Sequence, residues 1–215
     1  MLLKKFAEGE ADILLGTQMV AKGLDFPRVT LVGVISADTQ MLLPDFRSSE
    51  RTFQLMAQVA GRAGRSTLAG EVIVQTGQPD HPTLRHIIGH DYKGFYEEEL
   101  EFRKELGYPP FSRLVLLEFR GKHEEDVVQH ATAFAKLFPK ELGVIRMMGP
   151  AGAALSKLKA MYRWHIILKS PKEGDPGGHI LHKMLQSVLH TYKTMSSSKS
   201  RAVRMTVDVD PVSMM

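Results

Sequence analysis

The run Gly107-Tyr108-Pro109-Pro110 limits this chain more than any other feature. A glycine just past a helix can take the left-handed conformation that closes it, and the prolines that follow cannot continue it. The stretch before the run, Pro82 to Leu106, is helix-prone, with Phe95, Leu100 and Phe102 set among Glu97, Glu98, Glu99, Glu101 and Glu105. A helix should therefore stop at Gly107, and a separate folding unit should begin beyond it. The patterns on the two sides differ accordingly.

Upstream, strand and helix signals alternate: Ile13 to Thr17, Val29 to Ile35, a helix over about 48–61, and Glu71 to Thr76. Continuous apolar strands of this kind imply a parallel sheet covered on both faces, hence an α/β architecture. Three strands are too few for a doubly wound domain. At least one sheet edge or face is expected to meet residues this chain lacks, leaving exposed apolar surface. Downstream the order is strand (113–119), helix (124–138), strand (143–148), strand (162–169), helix (178–192) and strand (202–209). That is the split-βαβ arrangement of an α+β domain, with two helices on one face of a mostly antiparallel sheet. Residues 172–178 and 196–200 are expected as surface loops. The division reads 1–85, a connecting helix over 86–107, and 108–215.

Charge divides along the same line. Residues 1–105 hold 12 Lys and Arg against 15 Asp and Glu, whereas residues 106–215 hold 16 against 9, so a net charge of +4 conceals halves of −3 and +7. Between Arg146 and Arg204 eleven basic residues face only two acids, Glu173 and Asp175. Such a density suits a polyanion, with a solvated basic surface as the alternative. No apolar run approaches the roughly 20 residues of a bilayer crossing, and the N-terminus lacks the form of a secretory signal, so no membrane association and a cytoplasmic location are expected. The chain has no cysteine, and its nine histidines show no ligand spacing, so no metal site is expected. His81, His86 and His90 read as surface histidines, and the twelve methionines as gap-filling core residues.

The chemistry concentrates in two segments. Gln58-Val59-Ala60-Gly61-Arg62-Ala63-Gly64-Arg65 spaces two arginines one helical turn apart among glycines. Two planar, permanently charged guanidiniums so placed can stabilise charge developing on a transferring phosphoryl group. No G-x-x-x-x-G-K-[ST] phosphate loop occurs in the 215 residues. The second segment, Gly16 to Pro27, follows a predicted strand, where parallel sheets place their ligands. It offers the Thr17 hydroxyl, Gln18 amide, Lys22 ammonium, Gly23 backbone and Asp25 carboxylate. In the basic half, Ser156 to His165 interleaves cations with aromatics. Lys157, Lys159 and Arg163 could neutralise phosphates, and Tyr162 or Trp164 could stack bases at about 1–3 kcal/mol each. In a strand, Tyr162 and Trp164 share one face and Arg163 takes the other, so aromatics turned toward the helices would be core residues.

Taken together, Gly16 to Pro27 and Gln58 to Arg65 resemble motifs V and VI of superfamily 2 helicases. The likeness is closer to the replication-restart helicases, the primosomal protein N′ family. It rests on Val29 to Val34, Ala37-Asp38, Leu43 to Arg47, Ser49 to Leu55, His90 to Tyr92, Arg103 to Arg113, Tyr162 to Trp164 and Asp208 to Pro211. The resemblance implies the second RecA-like helicase lobe in partial form, followed by a C-terminal domain similar to ribosomal protein S10 that binds DNA and partners. It implies that Arg65 is an arginine finger with Arg62 beside it and Gln58 orienting. Gly23 and Asp25 would sense ATP, and Thr17, Gln18 and Lys22 would face the DNA backbone. The whole family member would use ATP with Mg²⁺ to unwind DNA 3′ to 5′, bind forked or single-stranded DNA, and load primosome proteins. Its phosphate loop, magnesium-binding acid and zinc insert would lie in an N-terminal part outside this chain, so this chain alone should not turn over ATP. The alternatives are a standalone nucleic-acid-binding or primosome-interaction module, and another superfamily 2 helicase or translocase.

Overall fold

The computed structural model describes residues 2–17, 26, 28–60, 70–196 and 202–215. The chain divides into two compact units, Met1–Leu43 with Arg47–Glu99, and Pro44–Phe46 with Leu100–Met215.

The first unit contains α1 (Leu2–Glu8), β1 (Leu31–Val34), α2 (Asp38–Met41), α3 (Ser48–Ala60), β2 (Glu71–Val74), α4 (Pro82–Ile88) and the start of α5 (Tyr92–Glu105). Strands β1 and β2 pair in parallel, Leu31 opposite Glu71 through Val34 opposite Val74. Their Val32, Val34, Val72 and Val74 side is half-buried, whereas Leu31 and Ile73 on the other side are 55% and 54% exposed. The sheet is thus covered on one side and not on both. The expected strand at 13–17 does not form. It has no ladder partner among the described residues, and Ile13 and Leu15 stay exposed, so extension would gain neither hydrogen bonds nor burial.

Helix α3 buries Ser48, Thr52, Phe53, Met56 and Val59, a stripe at helical spacing, and Phe53 stacks on Phe95 of α5 at 4.4 Å between ring centroids. The helical stretch after Pro82 is two helices, not one. His90 takes a positive φ of 51°, and Asp91 restarts the helix by accepting from the Gly94 amide at 2.8 Å. Helix α5 then ends at the predicted stop. Gly107, at φ 62°, donates to the Lys104 carbonyl at 3.2 Å while Tyr108 donates to that of Arg103 at 2.7 Å, the paired bonds of a Schellman ending.

The second unit follows the predicted order: β3 (Ser112–Gly121), α6 (Glu124–Ala135), β4 (Arg146–Leu158), β5 (Met161–Pro171), α7 (His179–Ser196) and β6 (Val203–Val209). The strands lie β4-β5-β3-β6, every neighbour antiparallel. Val115, Leu117 and Phe119 of β3 join Ile166 and Leu168 of β5 against Val127, Ala131 and Phe134 of α6 and Leu181, Leu185 and Val188 of α7. Phe119 and Phe134, both fully buried, meet edge to face at 5.5 Å; each contributes about 2–3 kcal/mol by burial. On the opposite side of β3, Leu114 and Leu116 are sealed by Phe46, Tyr108 and Met214.

Strand β4 runs longer than its sequence pattern suggests and is irregular. Residues 153–156 stand opposite Arg163 alone, because Gly152 pairs with Trp164 and Lys157 with Tyr162. The β4–β5 turn is Lys159-Ala160, both at positive φ (49° and 61°), a two-residue hairpin without the glycine or asparagine that usually announces one. The expected loop 172–178 is anchored: Asp175 is buried and accepts from the Ile180 and Leu181 amides at 3.2 and 3.0 Å at the start of α7.

The open side of the first unit's sheet carries a testable consequence. Replacing Leu31 and Ile73 together by Thr should reduce binding of a hydrophobic dye while changing stability by no more than about 0.5 kcal/mol. Undiminished dye fluorescence would contradict this description.

Candidate nucleotide and nucleic-acid sites

Helix α3 places Gln58 half-buried, two residues before Ala60, the last described residue of this stretch. Its start is held by Ser48, whose hydroxyl donates to the Leu43 carbonyl at 2.6 Å, and by Thr52, which donates to the Ser48 carbonyl at 2.8 Å. Arg62 and Arg65 lie outside the described residues, as do Gln18, Lys22, Gly23 and Asp25; Thr17 is described and exposed. Among the described residues no group of His, Asp and Glu is arranged to hold a metal.

At the carboxyl ends of β1 and β2, Asp38 joins the two departing loops. Its carboxylate accepts from the Thr76 hydroxyl at 2.6 Å and the Gly77 amide at 2.8 Å, and the Thr76 bond, followed by that from Gly77, holds it below the usual carboxylate range. In the sequence Asp38 stood out only within the Ala37-Asp38 block, with no clamp assigned to it; a carboxylate shortly after an apolar strand was the available signal. His86 is likewise more than a surface histidine. Its Nε2 lies 2.7 Å from Glu98 and its Nδ1 3.2 Å from Asp91, and the hydrogen bond to Glu98 above all raises its pKa.

In the second unit, Lys157 and Lys159 are exposed at the hairpin. Lys157 Nζ sits 4.5 Å above the Tyr162 ring and donates to its hydroxyl at 3.2 Å. Trp164 and Tyr162 both face the helices and pack against the core, and the Trp164 indole N–H donates to Glu124 at 3.4 Å. Trp164 is therefore a core-edge residue, not a free platform for bases. Arg163 also departs from its expected role. It is 6% exposed, and its Nε and Nη2 both reach Glu118 Oε2 at 2.5 Å, with His165 Nε2 at 3.3 Å from the same oxygen. The guanidinium is spent inside the domain because strand alternation turns it onto the side of β5 that residues 153–156 cover. Burial would raise the Glu118 pKa, but the bonds from Arg163 and His165 outweigh it and hold the carboxyl low. Burial dominates at His165 and lowers its pKa, so it stays neutral near pH 7. Glu118 was not singled out by sequence, although its alternation with Leu114 and Leu116 marks it as sharing their face.

Residues 1–67 match the family model of the helicase conserved C-terminal domain, which covers both glycine-bearing segments, and residues 104–212 match that of the primosomal protein N C-terminal domain. The chain belongs to the PriA family. It is 43% identical over 217 residues to the replication restart protein PriA of Bacillus subtilis (strain 168), covering 100% of this chain and 26% of that protein. The PriA of Synechocystis sp. is 39% identical over 216 residues, covering 99% and 24%, and that of Haemophilus influenzae 38% over 210 residues, covering 97% and 28%. The chain thus spans about a quarter of the length of these curated relatives.

The PriA C-terminal match begins at Lys104, in the closing turn of α5, and runs to Val212, so it takes in the whole four-stranded sheet with its two helices. In this PriA-type domain the Asp208-Val209-Asp210-Pro211 block has a structural explanation. Asp210, at φ 51°, ends β6 by accepting from the Leu114 amide at 3.2 Å while its own amide donates to the Leu114 carbonyl at 2.8 Å.

Glu118 offers a direct check on the internal ion pair. Glu118→Gln leaves a buried guanidinium without its counter-charge and should cost about 3 kcal/mol in denaturant unfolding near neutral pH. Because its folded pKa is depressed, the stability Glu118 contributes is present above the unfolded carboxylate value and fades as pH falls through the folded one. The variant's deficit should therefore shrink in acid, and a deficit that is constant with pH would contradict the assignment.

Proposed function

We propose that the intact protein is an ATP-dependent DNA helicase that restarts replication, working 3′ to 5′ on forked or single-stranded DNA and admitting primosome proteins. The observation that carries this reading is the pairing, in one chain, of a helicase C-terminal match spanning Gly16 to Pro27 and Gln58 to Arg65 with a primosomal C-terminal match. The names of the relatives, replication restart proteins, agree with it. No helix among the described residues is long and apolar enough to cross a membrane, and a helicase acting on the chromosome would work in the cytoplasm.

In this reading ATP with Mg²⁺ supplies the phosphoryl group whose transfer drives movement. Arg65 is the finger that stabilises charge on its oxygens, with Arg62 beside it and Gln58 orienting from the end of α3. Gly23 and Asp25 respond to the nucleotide, and Thr17, Gln18 and Lys22 meet the DNA backbone from the same segment, so one short stretch of chain couples both ligands. The zinc site of the family belongs to the N-terminal part, outside this chain. The basic second half gives the protein a surface for DNA, in keeping with its +7 charge.

Arg65→Ala in the intact protein should lower DNA-stimulated ATP hydrolysis by about a thousandfold and leave DNA binding in place. Hydrolysis at the unaltered rate would refute the finger role. Hydrolysis by the 215-residue chain alone would refute its dependence on the missing phosphate loop.

A further inference from the structure

The antiparallel register brings three arginines into one row across the second unit's sheet. Arg120 of β3 stands opposite Arg163 of β5 on one side and opposite Arg204 of β6 on the other. All three project from the side without helices, because their neighbours Phe119, Trp164, Val203 and Met205 pack into the helix-side core. Like charges directly opposite across a sheet destabilise it. Arg163 escapes this cost through Glu118. Arg120 and Arg204 have no such relief: among the described residues neither has a carboxylate within ion-pair distance, and Arg120 makes only a 3.4 Å donation from Nη2 to the Leu158 carbonyl. Asp208, on the same side of β6, lies four residues beyond Arg204, about 13 Å along the strand.

The surroundings select the anion that would complete this pair. The apolar seal of Phe46, Tyr108 and Met214 lies over Leu114 and Leu116, toward the opposite end of β3, and Arg204 is exposed. At the arginine end the exposed hairpin residue Lys159 adds a further cation, whereas Lys157, which stands opposite Tyr162, and Lys122 line the helix side together with Glu124, Glu125 and Asp126. The nearest run of acids, Glu124, Glu125 and Asp126, opens α6 on the helix side, where Glu124 meets Trp164. The helix side of this end thus mixes cations with acids, and among the described residues the adjacent guanidiniums Arg120 and Arg204 stand on the helix-free side. Paired planar donors match phosphate oxygens, and cations strung along one rim match repeating phosphates rather than a single small ion.

We propose that Arg120 and Arg204 form a phosphate clamp on the helix-free side of the C-terminal sheet, which grips the sugar-phosphate backbone of single-stranded DNA with Lys159 extending the track. This rests on the reading above that the second unit contacts DNA, and it places that contact away from Trp164 and Arg163.

The test is an anisotropy titration of the 215-residue chain with a labelled oligothymidylate at several salt concentrations. It compares the unaltered chain with Arg120→Gln, Arg204→Gln, the double variant, and Lys183→Gln at an exposed position of α7 as a control for the loss of one positive charge. The double variant should bind roughly tenfold or more weakly at low salt, and its log-affinity against log-salt slope should fall by about two, while Lys183→Gln follows the unaltered chain. Its thermal midpoint should stay level or rise, because a like-charge contact has been relieved; a merely structural pair would lower it. Unchanged affinity and slope in the double variant, with the unaltered chain binding well, would overturn the clamp and leave the DNA reading standing. Failure of the unaltered chain to bind at low salt would instead overturn the DNA reading itself. Displacement of the oligonucleotide by inorganic phosphate at matched ionic strength would overturn the backbone assignment in favour of a small-anion site.

Discussion

Strand β3 is buried from both sides, and the second unit is organised by what that requires. One set of alternating side chains, Val115, Leu117 and Phe119, must be apolar to meet the two helices. The other set changes character along the strand: Leu114 and Leu116 lie under Phe46, Tyr108 and Met214, and Glu118 and Arg120 continue the same side as charged groups. Where the apolar cover ends, polar satisfaction takes over, and Glu118 collects Arg163 and His165 beneath the irregular stretch of β4. Arg120, two residues further along the same side, instead donates to the Leu158 carbonyl. The charge left over at this end of the sheet follows directly from the period of two in a strand.

The same dependence on a central element holds the tail in place. Residues 44–46 belong with the second unit because Phe46 stacks on Tyr108 at 5.1 Å and Asp45 accepts from the Ser213 hydroxyl at 2.8 Å and the Met214 amide at 3.2 Å. Tyr108 in turn receives Lys169, whose ammonium lies 3.5 Å from the ring centroid and donates to the Leu106 carbonyl at 3.0 Å. Burial, and then the nearby Arg146, lower the Lys169 pKa. The stop at Gly107 thus delivers Tyr108 to the point where it helps seal β3. Among its described residues the first unit has no equivalent strand. Its two short parallel strands leave one side to solvent, and its order comes from α3 packing on α5 and from the Asp38 and His86 clamps.

Much of this was legible from the residues alone. The helix stop at Gly107 and the order of elements after it could be read because glycine and proline restrict the backbone locally, and because strands and helices have different apolar periods. The family could be read because two glycine-bearing segments and a set of uncommon blocks coincide in one chain. What escaped depends on tertiary pairing. Residues 13–17 have strand composition but lack a ladder partner, and the helical stretch after Pro82 breaks at His90, where Asp91 outcompetes continuation. The Lys159-Ala160 hairpin carries no turn residues to announce it. Arg163 and Trp164 were correctly placed on opposite sides of a strand, but which side faced the helices was decided by the register of β5 against β3. Once that register is known, the interest moves from the aromatic strand to Arg120 and Arg204, neither of which stood out in sequence.

Whether the C-terminal sheet meets DNA with its helix-free side is tested most directly by photocross-linking. The 215-residue chain is cross-linked to a single-stranded oligonucleotide carrying 4-thiothymidine, and the attached peptides are mapped. Attachment within the end of β3, the β4–β5 hairpin and the start of β6 is the expected result; attachment confined to α6 and α7 would contradict it.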